Sequence, residues 1–489
     1  MRNRTSPHAR VRTALSCAVV SACATIIALS LPMAVQAQAA IPIRELAAPD
    51  ARTTESFGAI FGVRQLEGGK VLVNDGLRRQ LIILDDKFAT RTVTVDSVET
   101  GGQSYGPRAS PLIPYLADSS LFVDGQSLTL LVISPKGAIT RVMSAPKPGD
   151  LSSLASSASG VDAKGNLVYR GRFIIAPNTT APAPGGIPAI QVPDSQPVVR
   201  ADFETRKVDT LGRVKVQSGS RAVVSQDANG KMIAKTTINP LNTVDEWGVM
   251  SDGTIAFVRG HDYHIDLISP SGKVSSSAKL PFDWKRLTDE DKQALVDSAR
   301  NAIDKAVADA RAKAPNEAEA QRAASLATMI ALAGTMGGGG MGGSGGMGGG
   351  MASVTIAGGG GRGGDIAIGG AGGAGMGMMA MAMPTMITEF VPLKEIADYY
   401  PAIRPGAVKA DLDGNLWILP TSSAQSKAGE LIYDIVNNRG ELTQRVRLPL
   451  GRSIAGFGHN GVLYLMQRDT KGAWFLERTK IMNFTRAMH

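Results

Sequence analysis

Cysteine is almost missing from this chain: Cys17 and Cys23 are the only two in 489 residues, and both lie within the first 23. With that segment removed, no disulfide, thiolate nucleophile or Cys-based metal site is possible, and the fold must be held by its core alone. Histidine is scarce too, with five residues, and aromatics make up 5%. A Ser-His-Asp triad has little to draw on, and no G-x-S-x-G elbow joins a strand to a helix. The glycine runs are not phosphate loops, because no G-x-x-x-x-G-K-[ST] pattern follows a strand. Neither sign of charge dominates. The net charge of +9 falls to +5 without Arg2, Arg4, Arg10 and Arg12, and the remaining basic residues are scattered, so no nucleic-acid partner is expected. An apolar fraction of 43% with a mean hydropathy of +0.00 excludes both a polytopic membrane protein and a wholly disordered chain.

What is present begins with an export pattern. A basic start is followed by an apolar run from Ala14 to Val35, closing on small residues around Ala37 and Ala39. That is the arrangement a signal peptidase reads, with cleavage after Ala37 or Ala39 and an exported, periplasmic or extracellular product without a membrane span. Two alternatives stand beside it. One is an uncleaved anchor, since the run is nearly long enough to span a bilayer. The other is lipidation at Cys23 within Val20-Ser21-Ala22-Cys23, although the apolar run continues well past that cysteine.

One segment distorts the composition. Between Gly334 and Gly377 there are 24 glycines in 44 residues, and ten of the 19 methionines fall between Met336 and Met386. Such a stretch cannot bury enough apolar surface to offset its backbone entropy and reads as a flexible insertion. Upstream, Thr288 with Asp289-Glu290-Asp291 reads as an N-cap with an acidic first turn. Leu295, Ala299, Ile303, Val307 and Ala310 then recur at helical spacing as far as Pro315. A second helix is expected from about Glu317 to Ala333, ending at Gly334. Residues 286–386 therefore form a helical and glycine-rich excursion. Its Ala-rich stripe either packs on the domain's side, caps one face of it, or serves as a docking arm for a partner.

Elsewhere short β-rich segments alternate with Gly/Asn/Asp turns. Phe57 to Leu66, Lys70 to Val73, Leu81 to Leu84 and Thr92 to Val95 make four strands in about forty residues, the size of one propeller blade. The unit recurs from Leu112, from Ser159 (delayed by a Pro-rich insertion, Pro177 to Pro197), from Trp247, from Ala407 and from Ile454. The last unit lacks a fourth strand, and Ile41 to Leu46 offers a spare one, so strands from both termini would close a ring. The expected fold is all-β: a six-bladed β-propeller with an α-helical and Gly/Met-rich insertion. Residues 1–39 are the signal peptide, 40–285 blades one to four, and 387–489 blades five and six. A sandwich or two smaller β domains is the alternative, which the repeated strand, Asp/Gly turn, strand order disfavours.

Phe57 to Asp85 (FGAIFGVRQLEGGKVLVNDGLRRQLIILD) resembles the opening blade of secreted bacterial six-bladed β-propellers of the NHL/TolB-like superfamily. Asp411-Leu412-Asp413-Gly414-Asn415-Leu416-Trp417-Ile418 is similar to the strand-turn-strand unit found across them. The resemblance covers roughly residues 41–285 and 387–480. It implies fold and not activity, because that superfamily includes binding scaffolds, lactonases and lyases.

Candidate chemistry is sparse. His261-Asp262-Tyr263-His264 is the densest polar group, and imidazole with carboxylate suits a divalent metal. In an extended segment, however, His261 and His264 point to opposite sides. Asn74, Asp75, Asp124, Asp245 and Glu246 could reach a channel rim and supply the oxygen ligands that calcium needs, though acidic turn residues more often form Asx turns. Met376, Met378, Met379, Met381 and Met383 are soft ligands for Cu(I), but without His or Cys among them they read as a linker. The expectation is therefore a non-enzymatic ligand-binding or protein-interaction scaffold, monomeric, without cofactor or metal. It would use the loops of one face, with Arg78, Arg259, His261, Tyr263 and Trp417 near the ligand. The alternative is a metal-dependent, calcium-type hydrolase, lactonase or lyase with its site in the central channel.

Overall fold

In a computed structural model the chain separates into residues 1–40 and 41–489. The structure describes residues 41–97, 111–150, 159–175, 194–216, 221–226, 232–328, 385–421 and 430–482. Short gaps interrupt these stretches, and a few isolated positions such as Tyr105 and Leu154 lie between them. The expected export signal, with Cys23, and the methionines 376–383 lie outside the described residues.

Six antiparallel sheets follow one another along the chain. Blade one is Ile60–Gln65, Val71–Asp75, Gln80–Leu84 and Arg91–Val95. Blade two is Leu112–Pro114, Ser120–Asp124, Thr129–Ile133 and Ile139–Ser144. Blade three is Ser159–Val161, Leu167–Arg170, Ser195–Ala201 and Val208–Lys215. Blade four is Glu246–Val249, Ile255–Arg259, His264–Ile268 and Val274–Ser276. Blade five is Val408–Ala410, Leu416–Ile418, Leu431–Val436 and Leu442–Leu448, and blade six is built on Arg452–Phe457, Val462–Arg468 and Trp474–Lys480. The first strand of blade one touches those of blades six and two. Those of blades two and three, three and four, and four and five also meet, so the first strands ring a common axis. The fold is a six-bladed β-propeller.

Six apolar clusters fill the joints between neighbouring blades. Val63, Val73 and Ile82 of blade one, for example, pack on Tyr464, Met466 and Leu476 of blade six. Blades two and three share Leu121, Val132, Leu167 and Tyr169, while blades four and five share Val258, Ile265, Leu416 and Val436. The second strands of the blades are therefore buried on both faces, which is why their sequences read as short, largely unbroken apolar runs rather than as clean alternation.

The ring is latched differently from the expectation. Ile43–Arg44, within the segment expected to complete blade six, adds in parallel to Leu442–Leu448 of blade five. The missing strand of blade six is Ala51–Arg52, antiparallel to Trp474–Lys480. The physical reason lies in the edge of that strand. The N–H groups of Ala47, Asp50, Thr53 and Phe57 donate to the carbonyls of Lys480, Arg478, Leu476 and Trp474 at 2.8–3.0 Å, so residues 47–57 zip the whole edge. Residue 46 makes only a bridge to Ile481.

Between blades three and four a hairpin, Arg221–Gln226 and Met232–Ile238, stands outside the ring. It is joined in parallel by Thr385–Phe390, the strand that follows the glycine-rich segment. Helix α1 (Asp289–Ala312) packs against this module. Its Thr288 cap forms a reciprocal box with Asp291, at 3.2 and 3.0 Å, and the acidic first turn complements the helix dipole. Val296 and Ile303 meet Leu241, Ile396 and Ile238, and Lys292, 4% exposed, reaches Asp398 at 2.6 Å. The helical stripe thus rests on the three-stranded sheet and on residues 390–400. Further helical positions occur between 317 and 328.

Candidate functional site

Because adjacent strands run in opposite directions, the first-to-second and third-to-fourth turns of every blade lie at one end of the ring. The second-to-third turns and the blade-to-blade connections lie at the other. At the first end, the turn end, every connection takes four to six residues. Five of the eleven follow one pattern, in which a side-chain oxygen opens the turn and a left-handed glycine closes it. Asp162 accepts from the N–H groups of Lys164 and Asn166 and from Asn166 Nδ2, with Gly165 at φ 86°. Asp411 does the same for Asp413 and Asn415, and it also accepts from Trp417 Nε1 at 2.9 Å. Neighbouring turns then lock together: Asp413 accepts from the N–H groups of Asn460 and Gly461 in blade six.

The second end, the loop end, carries the long connections: 96–111, 171–194, 216–245 with the outer hairpin, and 277–407 with α1 and the glycine-rich segment. Long loops on a rigid scaffold are where binding residues gather, so this end is the candidate site.

The five residues anticipated as ligand-binding do not form one cluster. Arg259, His261 and Tyr263 share a loop-end hairpin of blade four, while Arg78 belongs to blade one and Trp417 to blade five. Arg78 is partly exposed and donates to Ser56 O at 2.6 Å. Arg259 is fully engaged, reaching Asp266 at 2.8 Å, Asp245 at 2.9 Å and Arg213 O at 2.8 Å over the ring of Phe257. Burial works against its charge, but the two carboxylates prevail and hold its pKa above the ordinary value. His261 is exposed. Tyr263 is 0% exposed, and its hydroxyl donates to Asp434 Oδ2 in blade five at 2.7 Å; burial, then Asp434, pushes its pKa well up. Trp417 is 1% exposed, in the joint with blade six beside Tyr433 and Phe457. Tyr263 and Trp417 therefore face protein within the ring wall.

The acids anticipated at a rim have protein partners. Asn74 accepts from Tyr105, and Asp124 accepts from Ser127. Asp75, fully buried, accepts from the N–H groups of Gly58, Ala59 and Arg78. Asp245 holds Arg259 and accepts from Lys215 and Gly260 N–H. Glu246, 6% exposed on the first strand of blade four, accepts from Gly406 N–H at 3.1 Å. Burial pushes its pKa up, with Arg170 opposing. His264 lies between Asp262 (2.6 Å) and Asp266 (3.3 Å). Burial tends to raise the Asp262 carboxyl, but His264 and Lys279 outweigh it and hold it low. Among the described residues no group of three or more His, Cys, Asp or Glu is placed to hold a metal ion.

Sequence inspection passed over Arg64, Arg170, Arg404 and Lys409, cations on or beside the inner strands. Their signal was a single basic residue in an otherwise apolar strand, as in Val408-Lys409-Ala410.

No protein-family model matches the chain, and no curated protein matches it. Among solved structures it is similar to a luciferin-regenerating enzyme, with 10% identity over 90% of this chain and 98% of that one and a TM-score of 0.34. It is also similar to regucalcin, a calcium-binding protein from Agrobacterium tumefaciens, at 10% identity over 90% and 96% with a TM-score of 0.33. A member of the DUF4221 family from Bacteroides vulgatus gives 9% over 90% and 96%, with a TM-score of 0.37. At such values the six-bladed architecture stands on its own strand pairing. Among the described residues no helix is long and apolar enough to cross a membrane.

Proposed function

We propose that the chain is an exported, monomeric binding propeller of the NHL/TolB-like kind, whose loop end engages a small-molecule ligand or a partner protein without metal or cofactor. The observation that carries this reading is the segregation of connections. Every turn-end link is short and closed on itself, whereas the long connections all emerge from the loop end. The fate of the rim acids supports it further. A calcium-type site needs several carboxylate and carbonyl oxygens converging on one point. Here Asp75, Asp245 and Glu246 are turned to backbone N–H groups or arginine instead. The NHL/TolB-like assignment rests on the resemblance of Phe57 to Asp85 and of Asp411 to Ile418, and export rests on the apolar run closing at Ala37 to Ala39.

Elemental analysis of the full chain, purified without chelator, tests the reading against a metal-dependent hydrolase, lactonase or lyase. We expect well under one equivalent of calcium or any transition metal in a folded sample. One tightly held equivalent would overturn the reading and direct attention to the channel mouth.

A further inference from the structure

Three of the third-to-fourth turns share one construction. Ser134–Ala138 of blade two, Ser269–Lys273 of blade four and Asn437–Glu441 of blade five each hold a glycine whose N–H donates to the carbonyl of the opening residue at 2.8–3.0 Å. Two of these turns are seated on the preceding blade. A Cβ on Gly137 would strike Ile83 of blade one, and one on Gly440 would strike Ser277 of blade four and touch Leu267. The third turn has no seat: a Cβ on Gly272 would meet nothing within 4 Å. The difference traces to one position. Ile83 and Leu267 stand two residues before Asp85 and Ser269, which open the outer turns of their own blades. In blade three the same place, two residues before the turn-opening Asp202, is held by Arg200. An aliphatic side chain there packs against the neighbouring glycine, whereas a guanidinium does not give up its water to one.

The gap this leaves between blades three and four is a cavity of about 270 Å³, near the lower limit of the roughly 300–1,000 Å³ typical of small-molecule sites. Toward the axis the two blades touch, where Gly253 of blade four abuts Ala163 of blade three. The blade-three wall carries the cations Lys164, Arg200 and Lys207. Lys207 has a close carboxylate, Asp209 at 3.1 Å. Arg200 stands 3.7 Å from Asp162, whose oxygens already accept from the N–H groups of Lys164 and Asn166 and from Asn166 Nδ2. Lys164 has no carboxylate partner among the described residues. On the blade-four wall, Pro270 is the one apolar side chain of the lining.

We propose that this gap binds a hexose-sized, polyhydroxylated molecule that carries one oxyanion group, carboxylate or phosphate. Arg200 and Lys164 hold the oxyanion, since charge-assisted hydrogen bonds to such groups are the strong ones. The body of the ligand must be hydroxylated, because a hydroxyl both donates and accepts and so matches a wall on which Asp209 and the Asn166 side-chain carbonyl accept beside the Lys207 donor. An apolar body would strip water from all of them without replacing it. Pro270 covers the C–H face. The site lies at the turn end, apart from the loop end assigned above, and neither reading depends on the other.

The test is isothermal titration calorimetry of the full chain with glucuronate, glucose 6-phosphate, glucose and inorganic phosphate at fixed ionic strength. We expect saturable one-site binding of glucuronate or glucose 6-phosphate, the tighter of the two identifying the oxyanion, with glucose and inorganic phosphate at least tenfold weaker. Arg200→Leu gives blade three the aliphatic seat of blades one and four. It should hold or raise the thermal midpoint while weakening binding at least tenfold. Lys164→Gln should also weaken binding, and it decides the matter alone if the Arg200 variant does not fold. Arg439→Met, in the seated turn of blade five, should leave binding unchanged. Failure of both anionic sugars to bind saturably would overturn the proposal, as would binding that ignores both wall variants. Glucose or inorganic phosphate binding as tightly as the anionic sugars would overturn the ligand class.

Discussion

The two ends of this propeller are built from the same strands and obey different rules. At the turn end the chain has little freedom. In five of its turns an Asp, Asn or Ser side chain caps its own turn and a glycine near φ 85° completes it, and the turn of blade five clasps that of blade six, as Asp413 clasps Asn460 and Gly461. At the loop end the same strands are joined by connections whose lengths range from 449–451 to 277–407, and the outer sheet and α1 are gathered there. Short, self-closed turns are concentrated at one end and variation in length at the other. Function is expected where substitution costs the fold least.

The largest effect should come from Asp411→Ala. It strips four hydrogen bonds from one carboxylate and leaves Trp417 Nε1 buried without an acceptor. Denaturant unfolding should show a loss of about 3 kcal/mol, and a loss below about 1 kcal/mol would mean that the turn end is not the brace described. Tyr263→Phe comes next and probes an exception, since a loop-end residue here acts as a strut between blades four and five. It should cost about 1–2 kcal/mol, softened by the Arg445 contact that Asp434 retains at 2.8 Å.

A third experiment addresses the outer module. Lys292 lowers the pKa of Asp398, so the pair contributes stability above the ordinary carboxylate range and loses it as pH falls through the depressed value. An acid titration followed by far-UV circular dichroism should show α1 loosening in that window. Lys292→Met should flatten the titration there, and an unchanged titration in that variant would detach the pair from the helix. The smallest effect is expected from replacing residues 334–377 by a short Gly/Ser linker. Loop-closure entropy grows only logarithmically with length, so the change in stability should stay under about 1 kcal/mol. A larger loss would show that the loop end braces the ring after all.

Most of the architecture was legible in the sequence because its turns are local. Asp162 to Asn166 and Asp411 to Asn415 carry their hydrogen bonds within five residues, so the chemistry that makes the turn is written where the turn is. The same holds for α1, whose cap and stripe are contiguous. What depended on distant partners was not legible. Tyr263 reads as a loop residue until Asp434, 171 positions away, is brought to it. Ala51–Arg52 has nothing in its side chains to mark it as a strand, whereas Ile41 to Leu46 does. Backbone complementarity with the last strand decided the register. Thr385–Phe390 found its place only against Met232–Ile238, across the whole insertion. The cations of the inner wall were missed for the same reason, because a lone lysine in a strand says nothing about whether an acid waits opposite.

The latch has a consequence in time. Blade six takes its outer strand from residues 51–52 and its other three from 452–480, so the joint between blades one and six unites residues near the two ends of the described chain. A growing chain holds Phe57, Val63 and Val73 exposed along an open edge until the strands within 462–480 have left the ribosome. Blades two to five can form in order behind it, but the ring itself cannot close until Trp474–Lys480 has been made. A chain truncated before Trp474 would keep that edge open, a standing invitation to pair with another copy.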